Sequence, residues 1–174
     1  MAFLPTATNE FRRLKKLAER AMVQVPDQDL HWRPDKNSNS IAIILRHLGG
    51  NMAARWTDFL TSDGEKPERN RDAEFEDDMA SRDELMKMWE RGWACLFRTL
   101  EGLTENDLEK TVHIRAEPQT VIQAISRQMW HYAYHIGQIV YVAKHLRSEE
   151  WKSLSIPRGK SAEYMRRGQY NREL

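Results

Sequence analysis

Apolar residues recur at steps of three and four through four stretches of the chain, and this periodicity predicts four amphipathic helices. The first runs from about Thr6 to Val25, carries Phe11, Leu14, Leu17, Ala18 and Met22 on one face, and stops at Pro26. The second opens at Asn39 or Ser40, both good helix caps, and carries Ile41, Ile44, Leu45, Leu48, Met52, Trp56 and Phe59 to about Leu60. The third starts at Ser81, which forms a capping box with Glu84, and continues through Leu85, Met88, Trp89, Ala94 or Cys95, Leu96 and Leu100 to Gly102. The fourth follows Pro118 and ends near Leu146 or Arg147, roughly 40 Å at ~1.5 Å per residue. Its apolar arc takes in Val121, Ile125, Met129, Ala133, Ile136, Ile139, Val140, Val142, Ala143 and Leu146, wide enough to predict packing on several sides.

With no convincing strand between them, these helices predict an all-α four-helix bundle over about residues 6–147, within one domain spanning 1–174. Two connections are long. Residues 61–80 hold eight acidic and three basic side chains and no apolar period, and loops of this length are usually functional or mobile. Residues 103–118 predict at most a short helix capped by Thr104, with Asp107 three residues on. The tail, 148–174, predicts irregular structure laid on the bundle through Trp151, Leu154 and Ile156.

Composition narrows the function classes. A net charge of +1, with no basic stripe, argues against nucleic acid as a partner. The longest apolar runs are too short to span a bilayer, so no membrane association is expected. The first twenty residues lack a secretory leader pattern, and the single cysteine, Cys95, cannot form an internal disulfide; both predict a cytoplasmic protein. Cys95 lies among apolar neighbours and reads as a core residue.

The candidate chemistry lies in the histidines. His131 and His135 are four apart on the fourth helix, so their imidazoles leave one face and can share a ligand. His135 falls in the core-facing row Val121, Ile125, Tyr132, His135, Ile139, Val142, Leu146, where a buried imidazole needs a partner. A metal ion is one such partner, and ordinary hydrogen bonds are another. His47, near the middle of the second helix, supplies a third imidazole where bundle metal sites are built. Three neutral histidines leave positions open for water or substrate. His31, His113 and His145 have no partner at ligand spacing and read as structural or exposed.

A single histidine within SNSIAIILRHLGGNM, followed by H-x-x-x-H within QMWHYAYHIGQIVYVAKHL, resembles the DinB/YfiT-like superfamily of metal-binding four-helix bundles. The stretches RNRDAEFED and SLSIPRGKS resemble a bacterial subfamily without an established activity, so the resemblance covers nearly the whole chain. It implies a divalent metal ion, zinc or nickel, on His47, His131 and His135. Similar superfamily members include transferases of low-molecular-weight thiols and a maleylpyruvate isomerase, and relatives tend to form homodimers.

An ion on three imidazoles keeps its full charge and would deprotonate a bound thiol or water near neutral pH. The preferred expectation is a metal-dependent enzyme activating a low-molecular-weight thiol against a small-molecule substrate, as an S-transferase or a thiol-dependent isomerase. A hydrolase using metal-bound water, and a non-catalytic metal- or ligand-binding bundle, are the alternatives. Asn51, Gln128 and Gln138 lie within a turn of the histidines and either orient an imidazole or substrate or make interhelical hydrogen bonds. Arg69 and Arg71, in the long loop, either contact an anionic substrate as part of a lid or join the loop's own ion pairs.

Overall fold

A computed structural model describes residues 2–166; it is mostly helical, with one two-stranded sheet. Helix α1, Phe3–Met22, begins three residues before the predicted start. Pro5 falls in its first turn, where a missing N–H has no intrahelical partner to lose. Ala2 offers no side-chain cap; instead the Glu105 carboxylate, 101 residues on, accepts the Leu4 backbone N–H at 3.1 Å. The sheltered face holds Leu4, Ala7, Phe11, Ala18, Ala21 and Met22.

Helix α2, Ile41–Trp56, is capped by Ser40, whose hydroxyl accepts from the Ile43 N–H. It ends four residues short of the predicted limit, where Asp58 turns left-handed at φ 49°. Helix α3, Arg82–Gly102, opens with the predicted Ser81–Glu84 capping box. Met88, expected in its core face, is instead 38% exposed. α2 packs chiefly on α3, and α1 on α4. α2 and α3 approach closely at two glycines: a Cβ on Gly92 would lie 3.2 Å from the Gly49 Cα, and one on Gly49 3.1 Å from the Met88 carbonyl oxygen.

The mostly helical chain broadly meets the all-α expectation, to which it adds one small sheet. β1 (Thr111–Ile114) and β2 (Glu117–Thr120) form an antiparallel hairpin closed by Arg115 and Ala116, with φ of 57° and 61°. Neither residue favours the left-handed region, so the sequence lacks the usual Asn-Gly signal. Asp63 supplies the missing stabilisation from the long loop: its carboxylate accepts the Arg115 N–H at 2.8 Å and the Ala116 N–H at 2.7 Å. Before the hairpin, Thr104 and Asp107 form the predicted cap on a single 3-10 turn.

Helix α4, Val121–Arg147, follows directly, capped by Thr120 with Gln123 in a further capping box. Its predicted core row is confirmed except at Leu146, which is half-buried, whereas Ala133 faces solvent. Trp56, Trp89, Trp93, Tyr132 and Phe11 are the large fully buried side chains, in edge-on and tilted contact; Phe11 and Trp56 lie 6.0 Å apart. The tail departs from the irregular expectation in a short helix, α5 (Ser161–Arg166). Leu154 is buried and Trp151 and Ile156 are half-buried; residues 167–174 of the predicted tail lie outside the described residues. Among the described residues, no helix is long and apolar enough to cross a membrane.

Candidate metal centre

His47 projects from the middle of α2, and His131 and His135 from successive turns of α4. One ligand atom from each lies within 4.8 Å of the others. The Nε2 atoms of His47 and His131 are 3.2 Å apart. Two nitrogens sharing a tetrahedral ion at ~2.0–2.1 Å would stand about 3.3–3.4 Å from each other, so this spacing fits a metal. The three rings stand steeply inclined, with centroids 4.8–5.2 Å apart.

Neighbouring side chains fix which nitrogen faces inward. The His47 Nδ1 is 2.9 Å from the Glu74 carboxylate, which can only accept, so the proton resides there and the Nε2 lone pair turns toward the other histidines. The His135 Nδ1 lies 2.8 Å from the Gln138 amide oxygen, with the same result. Metal-binding histidines characteristically hand their second ring nitrogen to such acceptors. Burial, followed by the charges of His135 and His47, lowers the His131 pKa to about 3; burial and His47 lower that of His135 to about 4. Both rings are therefore neutral at neutral pH, the form a metal requires.

Glu74 is the site residue that the sequence reading left without a role. It sits in a 3-10 turn, Asp72–Phe75, and is 9% exposed. Arg69 holds it through two hydrogen bonds of 2.7 Å. Burial pushes its carboxyl up, but the hydrogen bonds from His47 and Arg69 outweigh this and leave its pKa lowered. Gly50 makes room for it: a Cβ there would collide with the carboxylate. Thus the loop is held by its own ion pairs, Arg69 also reaching Glu65 at 3.3 Å, and is docked on the site as well.

Above the histidines lies a cavity of about 370 Å³, which Asn51, Gln128, Arg69 and Arg71 help to line. Asn51 accepts from the Tyr132 hydroxyl, which in turn accepts the Trp56 N–H at 2.9 Å; Tyr132 is thus committed to packing. Gln128 is 4% exposed, and its Oε1 has no partner. Arg71 lies over the Phe75 ring, which itself tilts against His47 at 4.7 Å. Gln138 orients His135 and stands outside the lining. Arg55, Phe75, Arg115, Arg127 and Trp130 complete the wall and were not predicted. Two had a legible signal: Arg55 is two turns past His47, and Arg127 is one turn before His131.

The other histidines lie elsewhere. His31 bridges Asp77 at 2.7 Å and the Ala80 carbonyl at 3.0 Å, His145 stacks on Trp32, and His113 is exposed on β1. Cys95 is half-buried beside Thr57, away from the cavity lining.

A family model described as a protein of unknown function, DUF1572, matches residues 1–160. No curated protein matches the chain.

Proposed function

The chain belongs to the DUF1572 family, and we propose that it is a metal-dependent enzyme of DinB-like, four-helix-bundle architecture, holding one divalent ion on His47, His131 and His135. The observation that carries this reading is the convergence of three imidazoles, two of them held by Glu74 and Gln138 so that their Nε2 atoms face inward. A hydrogen bond between the His47 and His131 Nε2 atoms, 3.2 Å apart, would account for two of the inward nitrogens, whereas one ion accounts for all three. Zinc and nickel suit such a ligand set, as do other imidazole-binding metals.

A bound ion would supply Lewis acidity, lowering the pKa of a thiol or water that reaches it. The chain's own residues do the rest. Glu74, clamped by Arg69, keeps the His47 proton on Nδ1. Gln138 does the same for His135. Phe75 and Trp130 supply apolar wall, and the cavity gives a small molecule access to the histidines. That access favours catalysis over a closed structural site. The choice of a low-molecular-weight thiol over water rests on the DinB/YfiT resemblance, and a hydrolase is the alternative at the same site.

Single-domain organisation, cytoplasmic residence and a homodimer belong to the same reading. The dimer is supported by Trp130, Tyr134 and Tyr141, 69%, 54% and 75% exposed along one side of α4. Sedimentation of the full chain tests it.

The deciding experiment is elemental analysis of untagged protein beside a His131→Ala, His135→Ala variant. About one equivalent of metal in the parent and none in the folded variant is expected. A parent that is metal-free and takes up neither zinc nor nickel would overturn the assignment.

A further inference from the structure

We infer that the cavity binds a small molecule through a carboxylate or phosphate group, gripped by Arg71 and Arg127. This deepens the function proposed above by naming a ligand class for the same site; it rests on that reading for the ion alone.

Five arginines line the cavity, Arg55, Arg69, Arg71, Arg115 and Arg127, and among the described residues no aspartate or glutamate does. Glu65 and Glu74 stand behind three of them and offset part of this charge, so the cation-rich wall is carried by Arg71 and Arg127. Three of the five are engaged from behind. Arg55, Arg69 and Arg115 converge on Glu65 at 3.1, 3.3 and 2.8 Å, and Arg69 also holds Glu74. The other two are free to act. Arg127 has a loose contact with Glu117 at 3.7 Å, both side chains being well exposed. Arg71 lies over Phe75 and, among the described residues, has no carboxylate partner.

A second observation points to a ligand in the same cavity, independently of its charge. Gln128 lies one turn before His131 and is nine-tenths buried against the cavity, with its carboxamide oxygen unpaired. That oxygen accepts, so a ligand would satisfy it with a hydroxyl or N–H on the part away from its anionic group, which the arginines hold. Guanidinium forks match the paired oxygens of carboxylates and phosphates, and cation-lined walls raise the local concentration of anions. Phe75 and Trp130 provide the surface for the rest of the ligand. A cavity of about 370 Å³ suits a metabolite-sized molecule.

The test is titration of the zinc-loaded full chain with succinate and, separately, inorganic phosphate, at fixed ionic strength, read by calorimetry. Succinamide serves as the uncharged control. Saturable one-to-one binding of succinate, phosphate or both is expected, and the stronger of the two identifies the anionic group. In an Arg71→Gln, Arg127→Gln variant with unchanged zinc content and melting temperature, affinity should fall at least tenfold; Arg91→Gln, exposed on α3, should change nothing.

Zinc-loaded protein that binds neither anion, or binds them equally well in the arginine variant, overturns the inference and leaves the metal assignment standing. Arginine-dependent anion binding by a chain that takes up no metal upholds the inference while the metal assignment fails.

Discussion

His47 and Glu74 stand 27 residues apart and meet through a 2.9 Å hydrogen bond between Nδ1 and Oε2, joining α2 to the long loop. Their pairing decides how the imidazole presents itself to a metal. Glu74→Gln should therefore weaken metal binding by roughly 10–100-fold while the helices stay folded. Competition with a chromophoric chelator measures it; unchanged affinity would mean that His47 is oriented without the carboxylate.

The same contact makes Gly50 sensitive. Alanine in a helix interior is ordinarily favoured over glycine by about 0.5–1 kcal/mol. Here the added Cβ would collide with the Glu74 carboxylate, and displacing the loop forfeits the Arg69–Glu74 and His47–Glu74 contacts. Gly50→Ala should accordingly destabilise the protein by about 1–3 kcal/mol and weaken metal binding as Glu74→Gln does. Denaturant melts and the same chelator assay read both. A stabilised variant would show the loop to be readily displaced.

What was legible in the sequence follows from the range of the interactions. Helix starts are local: Ser40, and Ser81 with Glu84, fix α2 and α3 within three residues, and periodicity places His135 in the core row. The spacing of His131 and His135 is likewise local, and His47 could be added from its place on α2. The hairpin and Glu74 were hidden for the opposite reason. Arg115 and Ala116 adopt left-handed backbone because Asp63, 52 and 53 residues away, binds their N–H groups. Glu74 resembles every other acid in residues 61–80 until the fold brings Gly50 beneath it. Pattern reading sees neither, because no periodicity links a loop carboxylate to its distant partner.

Asp63 offers a way to separate latch from turn. Asp63→Ala removes the acceptor for two N–H groups at a turn made of unfavourable residues, and should cost about 1–3 kcal/mol in a urea melt. Adding Arg115→Asn and Ala116→Gly supplies residues that adopt such a turn unaided, and should recover most of the loss. Failure of that rescue would place the role of Asp63 elsewhere, for example in its 2.7 Å bond to the Glu65 N–H.

Acid should weaken the metal-free protein through the histidines. Burial, with the neighbouring histidine charges second, lowers the pKa of His131 to about 3 and of His135 to about 4, against about 6.5 in the unfolded chain. As pH falls below 6.5, the unfolded state takes up protons that the folded state refuses, so stability present at neutral pH is lost down to about pH 4 through His135 and about pH 3 through His131. Allowing for solvent screening at the open site, the loss between pH 7 and 5 is on the order of 1–2 kcal/mol, or about 3–8 °C in melting temperature. A His131→Gln, His135→Gln variant should show a smaller drop over the same interval. Zinc added to the parent at pH 5 should restore the difference, since it binds only the folded, deprotonated site. Parallel melting of parent and variant from pH 7 to 5 would instead show that both rings already share protons with solvent in the folded chain.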